Sequence, residues 1–119
     1  MNVNELGFEL AHVGINQENA VEAKATADLL CDLFGFSPRE TEGSFFTDEY
    51  FEVMKSEFLG RLGHVAIRTV DTEKAMAYLM TKGIAFDEST AGRGPDGKIR
   101  VIYFAKDIAG FRFHLTQKA

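Results

Sequence analysis

Cysteine is almost missing from this chain. Cys31 is the single one in 119 residues, which excludes an internal disulfide framework and a cysteine-rich zinc site and fits a reducing cytoplasm. It reads as a small buried residue of a helix rather than a nucleophile. Tryptophan is absent and proline occurs twice. No apolar run nears the roughly 20 residues of a membrane-spanning helix; the longest clear stretch, Val101–Ala105, has the length of a strand. Residues 1–10 carry Glu5 and Glu9 and lack the basic start and apolar middle of a signal peptide. Net positive charge is missing too: thirteen bases face eighteen acids, a net of −5, so neither nucleic acid nor a membrane is expected as a partner.

What is present is an ordinary globular balance, 45% hydrophobic and 26% charged, divided unevenly. Residues 1–60 hold 12 acids and 3 bases, whereas residues 61–119 hold 6 acids and 10 bases. Oppositely charged halves can attract within a chain or across a dimer. The basic half, with Arg61, Arg68, Arg93, Arg100 and Arg112, can also steer an anionic small molecule.

The chain repeats itself. Leu10-Ala11-His12-Val13-Gly14-Ile15 and Leu62-Gly63-His64-Val65-Ala66-Ile67 match at a spacing of 52 residues. Each is an alternating strand pattern followed by a helical one. Ala23, Ala27, Leu30 and Phe34 form the first apolar stripe, from about Glu18 to the stop at Gly35. Asp71 caps the second helix, Ala75, Tyr78 and Leu79 form its stripe, and Gly83 ends it. Three strands are expected after each helix: Phe36–Thr41, Ser44–Thr47 and Tyr50–Lys55, then Ala85–Ser89, Lys98–Lys106 and Phe111–Gln117. Residues 91–97 read as a turn-rich loop. The expected fold is α+β, one domain over 1–119 made of two βαβββ modules, about 8–55 and 62–117, joined by a linker over 56–61.

Strand parity locates a candidate site, because successive side chains face opposite ways. In the opening strands Val13, Ile15, Val65 and Ile67 lie under the helices, opposite His12, Gly14, His64 and Ala66. In the closing strands Phe51, Val53, Phe113 and Leu115 oppose Glu52, Met54, His114 and Thr116. All three histidines and one glutamate thus share the face away from the helices, at equivalent positions of the two modules. Such a nitrogen and carboxylate set suits a divalent ion such as Zn²⁺, Ni²⁺, Co²⁺, Fe²⁺ or Mn²⁺. Phe45, Phe46, Met54 and Phe104 are candidates for an apolar wall or for core.

On these opening and closing strands the chain resembles the vicinal oxygen chelate superfamily of glyoxalases, bleomycin-resistance proteins, epimerases and extradiol dioxygenases. The resemblance spans about Leu10 to Gln117. It implies two half-barrel modules curved around a cavity and a divalent metal held by His12, Glu52, His64 and His114. Glu52 or His114 would then move a proton during lyase or isomerase chemistry on a small oxygenated, anionic substrate, through a metal-stabilised enediolate. His114 stands where glyoxalase I commonly has glutamate, so a different proton carrier is implied. The first strand and the Leu30-Cys31-Asp32-Leu33-Phe34-Gly35 segment are also similar to a bacterial subgroup associated with 2-keto-3-deoxy-6-phosphogluconate aldolase. That likeness gives the alternative, a non-catalytic small-molecule binder or an accessory domain to a sugar-acid aldolase. The resemblance leaves open whether the modules close within one chain or across a dimer; a cytoplasmic homodimer is expected.

Overall fold

The computed structural model describes residues 2–119. A short 3-10 helix, Val3–Leu6, precedes β1 (Glu9–Asn16), α1 (Ala20–Phe34), β2 (Pro38–Glu40), β3 (Ser44–Thr47) and β4 (Phe51–Met54). The same order follows again as β5 (Gly63–Thr69), α2 (Thr72–Thr81), β6 (Phe86–Arg93), β7 (Ile99–Phe104) and β8 (Phe111–Gln117). The fold is α+β, one curved, open, mixed sheet of eight strands in the order β2-β3-β4-β1-β5-β8-β7-β6. The opening strands of the two repeats pair antiparallel at its centre, and each runs parallel to the closing strand of its own repeat.

Both helices start on side-chain caps. Asn19 accepts from the Glu22 amide at 2.9 Å and Asp71 from the Lys74 amide at 3.1 Å. Each helix buries small residues against its own repeat, which brings helix and sheet close. Ala23 and Ala27 of α1 pack on Phe45 and Val53. Ala75 and Met76 of α2 pack on Ile99, Ile102 and Leu115. Leu6 joins this second cluster at 2% exposure. The leading segment therefore belongs to the core of the second repeat, a role its short polar sequence did not announce. The acidic and basic halves also meet, Glu9 facing Arg68 at 3.9 Å and Lys118 at 3.6 Å.

Several local expectations need correction. β2 is shorter than Phe36–Thr41, because Phe36 turns to pack on Phe34 and Tyr50. Residues 91–93 are strand rather than loop. Register shifts between Asp87 and Arg93 let β6 run on, and the turn tightens to Gly94–Lys98, closed by hydrogen bonds from the amides of Gly94 and Gly97. Cys31 is half-buried, not buried, on α1. Among the proposed wall residues, Phe45 and Phe104 are core, while Phe46 lies on the other face, against His12.

Candidate metal centre

Two adjacent rows of residues across the centre of the sheet make the site. The register aligns Phe46, Glu52, Gly14, His64 and Arg112 in one row. The next row aligns His12, Ala66, His114 and Tyr103. Each row has one small residue, Gly14 or Ala66, among large ones, and the repeat explains why. Each opening strand carries a histidine two positions before Gly14 or Ala66, and antiparallel pairing sets each histidine opposite the other strand's small residue. The vacancy above Gly14 takes the His64 ring: a Cβ there would lie 2.0 Å from His64 Cε1. Ala66, fully buried, is the floor between His12 and His114.

The four candidate residues come together within one chain. His12 Nε2 is 3.2 Å from His64 Nε2 and 3.3 Å from Glu52 Oε1, and His64 Nε2 is 3.0 Å from that same oxygen. His114 belongs to the group as well, since one ring nitrogen from each of the three histidines lies within 4.8 Å of the others. Bonds of about 2.0–2.2 Å from a divalent ion to nitrogen or oxygen would hold neighbouring ligand atoms about 3.0–3.5 Å apart. The three observed separations fit that requirement, so the donor set suits such an ion.

Electrostatics set the states of Glu52 and His114. Burial alone would raise the Glu52 carboxyl, but hydrogen bonds from His12, His64 and Ser44 outweigh it and hold the group well below the usual carboxylate range. Ser44 Oγ donates to Glu52 Oε2 at 2.8 Å, and its one proton being spent there, Thr41 Oγ1 donates to Ser44 Oγ. His114 is lowered too, but for an imidazole this favours the uncharged form: burial brings it to about 4, against a weaker upward pull from the Leu115 carbonyl. With Nδ1–H donating to Leu115 O at 3.3 Å, its Nε2 is the bare nitrogen, the tautomer suited to binding a cation or taking a proton. His64 Nδ1 is buried beside Gly14 without a partner, so in the metal-free ring the proton sits on Nε2, toward Glu52.

Aromatic side chains wall the cluster. Tyr103 lies 4.3 Å from the His114 ring centre, Phe46 stands edge-on to His12 at 5.4 Å, and Phe58 stands edge-on to His64 at 6.2 Å. Burial, then the Glu52 charge, pushes the Tyr103 phenol up to about 12, so it remains neutral. Arg39 stacks 4.4 Å from the Phe46 ring centre at the rim, where its exposed guanidinium also faces Glu49 at 3.5 Å. Sequence reasoning missed Ser44, Tyr103, Phe58 and Arg39 as site residues. Tyr103 carried a signal, as the one polar-tipped side chain between buried Ile102 and Phe104 and opposite His114. Three arginines of the basic half are engaged elsewhere: Arg112 with Asp107, Arg68 with Glu9, and Arg93 with the Gly97 carbonyl.

No family model matches the chain, and no curated protein sequence matches it. Solved structures do. A Streptomyces coelicolor methylmalonyl-CoA epimerase variant in complex with 2-nitronate-propionyl-CoA superposes with a TM-score of 0.61 at 18% identity, over 93% of this chain and 94% of that one. Methylmalonyl-CoA epimerase from Mycobacterium tuberculosis gives 0.61 at 17% identity, over 100% and 93%. A hypothetical protein from Bacillus halodurans gives 0.63 at 15% identity, over 94% and 95%. The chain therefore has the glyoxalase-type fold of these proteins. Epimerases of this kind belong to the vicinal oxygen chelate superfamily. The neighbours do not support the narrower likeness to aldolase-associated proteins, and they do not favour the binder or accessory-domain alternative.

Proposed function

We propose that the chain is a metal-dependent isomerase that relocates the proton next to an activated carbonyl of a small anionic acyl substrate. The observation that carries this reading is the meeting of His12, His64, His114 and Glu52 from both repeats on one face of the sheet. In this reading His12, His64 and Glu52 would hold the ion, with His114 able to join them when its Nε2 is not carrying a proton, and the ion would supply Lewis-acid stabilisation of negative charge developing on the substrate carbonyl. Glu52, held as a carboxylate by three hydrogen bonds, is the better ligand. His114, neutral at physiological pH with Nε2 bare, is the better proton carrier. Arg39 at the rim fits the negative charge of the substrate. An acyl-CoA such as methylmalonyl-CoA is the first compound to test, because the solved neighbours include epimerases named for it.

Two measurements test the reading. Tag-free protein purified without chelator is expected to hold a near-stoichiometric transition metal and to lose it in His64→Ala. Loaded protein is expected to wash deuterium from D₂O into methylmalonyl-CoA, with His114→Gln losing turnover while retaining metal. Protein that takes up none of Zn²⁺, Ni²⁺, Co²⁺, Mn²⁺ or anaerobic Fe²⁺ would sink the proposal.

We also propose a homodimer, in the cytoplasm where an unpaired Cys31 persists. The first repeat leaves Leu29, Leu33, Phe34 and Tyr50 more than half exposed. Beside them, Leu10, Val13, Phe36 and Phe51 line a cleft of about 680 Å³ that includes none of the four metal-site residues. This apolar surface is what a second copy would bury. Light scattering on wild type and on Leu33→Asp/Tyr50→Glu decides it, a dimer becoming a monomer.

A further inference from the structure

The linker between the repeats does more than join them. Residues 56–61 form no strand, yet Phe58 and Gly60 are held by one side chain from the end of β1, while Asp107 holds the Arg61 amide. Asn16 Nδ2 donates to the Gly60 carbonyl at 2.9 Å and to the Phe58 carbonyl at 3.4 Å, and Asn16 Oδ1 accepts the Phe58 amide at 3.3 Å. Both amide hydrogens and the oxygen of Asn16 are thus spent on the linker. Gly60 completes the fit, at φ 88° and with no space for a Cβ, which would fall 1.9 Å from the Gly63 carbonyl oxygen.

The consequence is the placement of Phe58. Its ring stands edge-on to His64 at 6.2 Å and to Tyr103 at 5.8 Å between ring centres, while 49% of the residue remains open to solvent. A large apolar side chain half in water is held there by bonds that its own backbone makes to Asn16. His64 beneath it is 2% exposed.

We infer that Phe58 is the gate over the His12–Glu52–His64–His114 cluster and that Asn16 is the positioning residue that holds it closed, setting how fast an ion or chelator passes. The inference rests on the metal-site reading above. Loss of the Phe58 ring and loss of the Asn16 clamp should open the same path. Zn²⁺-loaded protein is mixed with 4-(2-pyridylazo)resorcinol and release is followed by colour. Phe58→Ala and Asn16→Ala are each expected to release Zn²⁺ roughly tenfold faster, as expected for two lost edge-to-face contacts. The double variant should be no faster than Phe58→Ala alone, and Phe58→Tyr should keep the wild-type rate. An unchanged rate in Phe58→Ala, or a double variant showing the product of the two single effects, overturns the gate.

A second readout needs no metal. In chelator-treated protein, carbethoxylation of His64 by diethyl pyrocarbonate, located by mass spectrometry, should accelerate in the same two variants, and equal rates overturn the inference. A wild type that binds no Zn²⁺ would therefore overturn the metal reading alone, with the gate still judged by the His64 modification rate. Melting temperatures near that of wild type confirm that the variants are folded.

Discussion

The two repeats share an order of elements and a pair of equivalent strand positions, yet they contribute unlike halves to the site. The first supplies His12 and Glu52, whose side chains are each 19% exposed, and it supplies the charge. The second supplies His64 and His114, at 2% and 5%, both sunk in the sheet, and His114 is held neutral there. At the equivalent closing-strand position a carboxylate in β4 faces Ser44, and an imidazole in β8 lies against Tyr103. A duplicated scaffold sets where side chains go, and the neighbours on each side set how they ionise. One repeat is suited to attract and fix a cation, and the other to hold an uncharged nitrogen ready.

The sharpest way to break this arrangement uses the small residues between the histidines. Gly14 and Ala66 occupy equivalent positions, but Gly14 has no Cβ and the His64 ring fills the space that one would take. Gly14→Ala puts a methyl inside the His64 ring, so His64 must leave its place beside Glu52 and His12. Metal affinity is expected to fall by about 100-fold or more, at the upper end of what disturbing a ligand's support costs. Ala66→Gly removes a buried methyl and adds no atom to the site. It should cost about 1 kcal/mol of stability, for an added glycine in a strand and a small cavity, and leave metal affinity within a few-fold. Calorimetric titration with Zn²⁺ on both variants checks the contrast, and equal losses would dissolve the distinction between the two positions.

The second difference between the halves is read by acid. In metal-free protein the unfolded chain protonates His114 near 6.5, whereas the folded protein resists until about 4. Over that interval the unfolded state binds more protons, so stability falls as the pH drops from 6.5 toward 4, by about 3 kcal/mol in all. Glu52, whose folded carboxyl is held below its ordinary 4.5, adds its loss only below 4.5, in the same direction. His114→Gln should therefore flatten the slope of urea-derived stability between pH 6.5 and 4. Glu52→Gln should leave that slope and reduce the loss below 4.5. A His114→Gln profile parallel to wild type through the upper window would show that the second repeat does not hold its histidine neutral.

Much of this was legible in the residues. The 52-residue repeat and strand parity are enough to place His12, Glu52, His64 and His114 on one face, because alternation is a property of the backbone itself. Parity is silent about which strands neighbour one another, so it left open whether the two pairs meet in one chain. The antiparallel pairing of β1 with β5 answers that, and it converts Gly14 from a face marker into the space for a ring. Phe58 was illegible for another reason. It lies in a segment without periodicity, and its position depends on three hydrogen bonds to Asn16, 42 to 44 residues away. Leu6 escaped likewise, a lone apolar residue whose burial is decided by α2 and the second sheet half.

The smallest contrast concerns how each helix is anchored. Both α1 and α2 start on a capping side chain, and loss of either cap should cost about 1 kcal/mol. Their first turns differ in what else holds them. In α2 the Thr72 amide donates to Gln117 Oε1 at 3.2 Å, Thr72 Oγ1 donates to the Arg100 carbonyl at 3.3 Å, and Glu73 Oε2 accepts the Ile99 amide at 3.0 Å. Among the described residues, the first turn of α1 makes no side-chain hydrogen bond to the sheet. Asn19→Ala should therefore let residues 20–23 fray, seen as faster amide hydrogen exchange confined to that turn. Asp71→Ala should lower stability by a similar amount while exchange at the Thr72 amide stays slow, since Gln117 still holds it. Fraying of equal extent in both variants would mean that the ties from Thr72 and Glu73 add nothing to the cap, and that the two repeats are anchored alike after all.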